Sequence, residues 1–525
     1  MKSRISTLLF VLGALTLSVG LIRFNFLPVG YAATTPARSG AALAITLSDL
    51  LNGLAQAPYS ATLSATGGSG AYTYSLMSGS LPAGLALNGN VISGTPTAAG
   101  PSTFTIRATD TSNGAFGDRT YTLLIGSTGL MYYPLAQPFR LVDTRQAGCY
   151  NVPGGLPANQ TMTVMTQGAC GSGAIPPGAV ALTGNVTTVN LLTRGFVTLY
   201  PSDAPRPLVS SSNFVENEAL NNAVTVSLSS AKNFNVYTNA QTHIIIDITG
   251  YYAPPGAGGL YFHPLPRPLR LLDTRPGQSA CLTPGSPLRS GIPQSWLGVM
   301  TCNNVTIPTE AQALVGNATT VFPTANGYLT LYPAGTSRPT ISTSNFVPLI
   351  NRNAPFVVGL SASGQFESFV YLADNRTTEL VMDITGYYST QANDVNGQGL
   401  LFNTLGAPLR LLDTRATGAT GCYTPGQPSL GGAVVTQQTQ SPCTNVPATA
   451  RGLAGNVTVI NPLNNGFLTF WPSDVTQPFV AISNFIPGRV FNRHFIVGMG
   501  PDAAFKRYST STLDMIIDIS GFFAP

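Results

Sequence analysis

One pattern is written three times in this chain, and it sets what the chain can fold into. The hexapeptides Arg140–Arg145 (RLVDTR), Arg270–Arg275 and Arg410–Arg415 (both RLLDTR) each lead into a cysteine pair: Cys149 and Cys170, Cys281 and Cys302, Cys422 and Cys443. Within every pair the cysteines stand 21 positions apart. An internal repeat of this kind decides the architecture, and it turns 525 residues into one small module used three times. Triplicated modules more often bind or build than catalyse.

Each copy carries a central block of unbroken spacing. Asn185, Asn317 and Asn456 open it after a glycine, Pro201, Pro333 and Pro472 follow, and Asn213, Asn345 and Asn484 close it in Ser-Asn-Phe. Constant spacing is what paired strands of fixed register require. Gly195–Pro201 (GFVTLYP), Gly327–Pro333 (GYLTLYP) and Gly466–Pro472 (GFLTFWP) alternate as strands do, and their prolines end them. Each copy finishes on a β-rich run, Ile244–Tyr252, Leu380–Tyr388 or Met515–Phe523, apolar on both faces and so expected inside a sandwich. About eight strands per copy predict a two-sheet β-sandwich or jelly roll. Only 9% of residues are charged, against roughly 25% in an average soluble protein. Gly, Pro, Ser, Thr and Asn take their place, the composition of short strands joined by turns. The fold class is therefore expected to be all-β.

All six cysteines fall into the three pairs. In an exported chain that pattern reads as three disulfides, each closing a loop and contributing about 3 kcal/mol in the chain-entropy account. Zinc would want Cys-x-x-Cys knuckles or clustered histidine, so neither metal nor cofactor is expected. Lys2 and Arg4 precede an apolar run from Leu8 to Ile22, and Gly30-Tyr31-Ala32 is a small-x-small cleavage site. Residues 1–32 are thus expected to be an export signal, which would anchor the chain in a membrane only if left uncleaved. Either way the body is expected to be extracellular or at the cell surface. The net charge of +5 is thinly spread and gives no nucleic-acid footprint.

Residues 40–126 differ from the repeats. Leu81–Leu87 (LPAGLAL), Val91–Thr97 (VISGTPT) and Thr103–Ala108 (TFTIRA) followed by Asp110 resemble the immunoglobulin-like, cadherin-like domains of bacterial surface proteins. That resemblance implies a seven-stranded sandwich used as a spacer or adhesive element, and regularly spaced strands with Gly/Pro turns point the same way. The stretch from Asp110 to Asp118 could hold calcium, although a Ser-Asn-Gly hairpin turn is the plainer reading.

The three modules run over 129–252, 260–388 and 400–525, with turn-forming connectors expected to allow limited swing. The RLLDTR hexapeptide, Asn-Val-Thr, the run Tyr332–Thr340 leading to Ser344-Asn345-Phe346, and Asp-Ile-Thr-Gly-Tyr-Tyr resemble a module repeated in many exported bacterial proteins. It is familiar from actinobacteria, sometimes beside cell-wall amidases or peptidases. The resemblance implies location and modularity, with no catalytic residues to carry over.

Asp247, Asp383 and Asp518 lie among apolar neighbours in the closing runs. A buried carboxylate needs a cation, and Arg145, Arg275 and Arg415, or the earlier arginine of each hexapeptide, are expected to supply it. The recurring polar residues, with Tyr200, Tyr332 and Trp471 as stacking platforms, could instead hold a glycan. The plainer readings are structural ion pairs, core-filling aromatics and asparagines that cap turns. No catalytic motif is present. The expectation is a non-enzymatic structural or adhesive surface protein partnered by itself in a polymer or layer. The alternative is a multivalent binder of carbohydrate or cell wall, gaining from avidity.

Overall fold

The computed structural model describes residues 42–525, apart from 56, 99, 127–128, 167–169, 171–172, 191 and 442. The expected export signal lies outside them. The described chain is all-β, with no helix long and apolar enough to cross a membrane.

Residues 44–126 form a sandwich. One sheet orders Gly53–Leu54, Phe116–Gly126, Gly100–Asp110 and Tyr72–Gly79; the other orders Tyr59–Thr62, Val91–Gly94 and Leu85–Asn88. Ile92, Phe104, Ile106 and Leu123 fill the space between. At the hairpin tip the Asp110 carboxylate accepts from the backbone and hydroxyl of both Ser69 and Ser112. Asp118 is engaged separately by Arg107 at 2.6 Å. The two acids therefore serve different partners. This domain rests on the third module, whose core takes in Leu54.

Each repeat is a jelly roll. In the first copy, Met131–Asp143, His243–Ala253, Ala181–Asn190 and Glu218–Ser227 make one sheet, in that order. Gln160–Met165, Asn233–Thr238, Gly195–Pro201 and Ser212–Phe214 make the other. The order first-eighth-third-sixth against second-seventh-fourth-fifth recurs in the other two copies, and it is that of a double Greek key closed into two facing sheets. Alternation places Val197, Leu199, Ile244, Ile246 and Ile248 in the first core. Disulfides join Cys149 to Cys170, Cys281 to Cys302 and Cys422 to Cys443.

The modules do not swing on their connectors. Bridges join Tyr132 to Leu260, Phe262 to Leu400 and Leu130 to Phe402, so each opening strand touches both others. Around these bridges the same positions of all three copies build one shared cluster: Tyr132, Phe262 and Phe402 from the opening strands, Tyr252, Tyr388 and Phe523 from the closing ones. The sixth strands, Glu218–Ser227, Arg352–Gly359 and Phe491–Gly498, also pack on one another. Three jelly rolls thus close about a common pseudo-threefold axis. A closing strand covered by its own sandwich on one side and by a neighbouring module on the other explains why it is apolar on both faces.

Candidate functional site

The hexapeptide is placed by its pairing with the closing strand. Arg140, Arg270 and Arg410 stand directly opposite Asp247, Asp383 and Asp518, with a bulge immediately after each arginine. Nε of each arginine reaches its aspartate at 2.8–2.9 Å. The partner of the buried aspartate is therefore the earlier arginine. Arg145, Arg275 and Arg415 lie beyond the strand pairing and fold back on Asp143, Asp273 and Asp413 at 2.6–2.7 Å. Register decides the difference, because directly opposed residues are the nearest cross-strand neighbours on a face. Burial raises the Asp247 and Asp383 carboxyls, and takes Asp518 up to about 6, despite the arginines.

These strands also reach the next module. Asn185 Nδ2 donates to Ser342 O and Asn317 Nδ2 to Ala481 O, both at 2.8 Å, and Asn456 Nδ2 to Ser210 O at 2.5 Å. The bonds run from first to second, second to third, and third back to first. The aspartates join in, since Ala481 N donates to Asp383 and Ser210 N to Asp518. A second asparagine set reinforces the ring: Asn345 N donates to Asn221 Oδ1, and Asn484 N to Asn353 Oδ1. Asn185, Asn317 and Asn456 thus sit within strands and fasten modules; they do not cap turns. Glycine precedes each of them because a Cβ there would strike the backbone of the closing-strand aspartate.

Grooves open between successive modules. The first, about 440 Å³, is lined by Arg140, Arg145 and Thr187 of one module and by Tyr328, Arg338 and Asn345 of the next. The second, about 240 Å³, has Arg270, Arg275 and Thr319 facing Phe467 and Asn484 at the same positions, with Phe479 where the first has Thr340. Arg338 lies 3.7 Å over the Phe369 ring, and Arg270 5.0 Å from that of Phe479, which is 76% exposed. Guanidinium edges, a carboxamide, a threonine hydroxyl and an aromatic face are groups that receive hydroxylated or anionic ligands.

The aromatics expected as platforms lie elsewhere. Tyr200, Tyr332 and Trp471 are 5%, 2% and 1% exposed, so no ring face is open to a sugar. They share a strand face with Phe196, Tyr328 and Phe467, four residues earlier. Those rings are half-buried at the open end of the strand. The two-residue alternation marked both sets equally; only packing separates them. Among the described residues no group of three or more His, Cys, Asp or Glu is arranged to hold a metal.

Residues 44–126 match the family described as "Putative Ig domain". No curated protein matches the chain. Among solved structures, the chain is similar to the Bacteroides ovatus mixed-linkage glucan utilization locus protein SGBP-B in complex with a mixed-linkage heptasaccharide, at 12% identity over 91% of this chain and 100% of that one, TM-score 0.14. A CBM22-1–CBM22-2 tandem from Paenibacillus barcinonensis Xyn10C is similar at 10% identity over 68% and 100%, TM-score 0.13. Streptomyces avermitilis α-L-rhamnosidase complexed with L-rhamnose is similar at 10% identity over 91% and 57%, TM-score 0.13. Likenesses this low leave function to be argued from the chain's own geometry.

Proposed function

We propose that this chain is a non-catalytic adhesive protein of the cell surface or extracellular space, binding carbohydrate in the grooves between its modules. One observation carries the reading: the same residues of one module face the same positions of the next at two successive interfaces, leaving open grooves lined by arginine, threonine, asparagine and an aromatic ring. Sugar hydroxyls donate and accept, which suits guanidinium and carboxamide together, and a pyranose face suits Tyr328 or Phe467. Two weak grooves on one rigid body gain by avidity on a polymeric surface. Disulfide pairing of all the cysteines suits an oxidising location outside the cytoplasm.

The test is sedimentation with insoluble cell-wall polysaccharide. The wild-type chain should pellet, Tyr328→Ala or Phe467→Ala alone should weaken binding several-fold, and the double variant should stay in the supernatant. Equal pelleting of the double variant would overturn the groove reading. Ordered polymers in the electron microscope without polysaccharide binding would return the chain to a purely structural role.

A further inference from the structure

The sixth strands meet around the axis, and their two ends differ. At the end shared with the opening strands the lining is aromatic and aliphatic. At the other end Glu218 of the first module forms ion pairs with Arg352 of the second and Arg489 of the third. Further along the third module's strand stands Arg493, at the register position that Asn222 occupies in the first. Arg493 is 6% exposed, and its Nη1 donates to the backbone oxygen of Asn492 at 2.7 Å. Among the described residues its Nε has no hydrogen-bond partner, and neither has Nε of Arg352, which is 3% exposed.

Arg352 and Arg489 converge on the one carboxylate of Glu218, and Arg493, buried on the neighbouring strand, feels the charge of Arg352; together the four groups carry an excess of two positive charges (three minus one). Burial, and then the charge of Arg352, push Arg493 down to about 9, which still leaves it charged at neutral pH. Buried charge that is not neutralised is costly, and the planar guanidinium is the side chain best shaped to meet a tetrahedral oxyanion through paired N–H groups.

We propose that the axial end binds a small tetrahedral oxyanion of the phosphate or sulfate class, held by Arg493 and Arg352 with Arg489 at its mouth. A doubly charged anion cancels the excess and gives the orphaned Nε groups an acceptor. Arg489 is partly exposed, with 32% of its side chain open to solvent, which gives the route in. Groups from all three modules meet here only in the closed body, so anion binding stabilises closure by mass action.

The experiment titrates the full chain with sodium phosphate and sodium sulfate against chloride at matched ionic strength and pH, reading melting temperature and heat of binding. Phosphate and sulfate should raise the melting temperature saturably, and chloride should not. Arg489→Ala should weaken the affinity at least tenfold. Arg493→Met should abolish the response while melting no lower than wild type in anion-free buffer. Glucose 6-phosphate separates the sources: binding like that of phosphate means a terminal phosphate of a larger molecule fits, and its failure restricts the site to the free anion. No saturable response in the wild type, or an undiminished one in Arg489→Ala, would overturn the proposal. If Arg493→Met does not fold, Arg489→Ala at the mouth decides alone.

Discussion

Asp383 shows how a single residue serves two scales of order. Its carboxylate takes Nε and Nη2 of Arg270 at 2.9 and 3.1 Å, and the backbone N–H of Ala481 in the next module at 2.9 Å. Asp383→Asn removes the nearer counter-charge of a largely buried guanidinium and leaves it only Asp273 at 3.7 Å; the unfolding free energy should fall by about 3 kcal/mol, measured by denaturant unfolding of the full chain. Equal stability would mean that the pair is not the lock it looks like. His494 gives a pH signature. Burial pushes its imidazole down to about 4; ring Nε2 lies 3.3 Å from Thr225 Oγ1 of the first module, and the backbone N–H of His494 donates to Asn222 Oδ1. It stays neutral when folded but protonates near 6.5 when unfolded, so the unfolded chain binds more protons in between. The stability it contributes is full above pH 6.5 and is lost as pH falls toward 4, by about 3 kcal/mol at most. Asp518, raised to about 6, works in the opposite direction in the same window. Comparing wild type with His494→Gln isolates the histidine, because Asp518 is common to both. The stability advantage of the wild type over the variant should shrink between pH 7 and pH 4; a pH-independent difference would contradict the burial of His494.

At the scale of the strand, glycine and aromatic residues form a matched set. A Cβ on Gly386 would come within 2.5 Å of the Phe262 ring, and one on Gly521 within 2.5 Å of Phe402. Those rings belong to the shared axial cluster. Gly386→Ala or Gly521→Ala should therefore cost about 1–3 kcal/mol by overpacking, and the loss should appear as a lower melting temperature. Gly397→Ala is not the right control, because its φ of 105° strains any side chain. Gly178→Ala is better, since nothing lies within 4 Å of its added Cβ. Much of this level was legible in the sequence: the alternating Gly195–Pro201 segment is a strand, the cysteines pair within each copy, and the closing run lies buried. Its second apolar face was the missed signal. In a two-sheet sandwich a strand hides one face, so Ile245 and Tyr252 on the other announced a further cover, which the neighbouring module provides.

At the scale of the molecule, three repeats in series form a closed ring of contacts and not a string of beads. The fold class was readable because alternation, turns and spacing are local properties. The closure was not, because an asparagine within a strand looks the same whether it faces water, caps a turn or reaches another module. Recurrence of Asn185, Asn317 and Asn456 at a mid-strand position was the available hint, since turns do not recur inside strands. Asn317→Ala removes the carboxamide that donates to Ala481 O, a part-buried bond between modules, at a loss of about 1 kcal/mol. The closed arrangement is tested most directly by small-angle X-ray scattering of the full chain in solution. For residues 42–525 closure predicts a radius of gyration near the ~23 Å of a compact body of that length. A value roughly double that, with the long tail of pair distances that domains in a row produce, would contradict it.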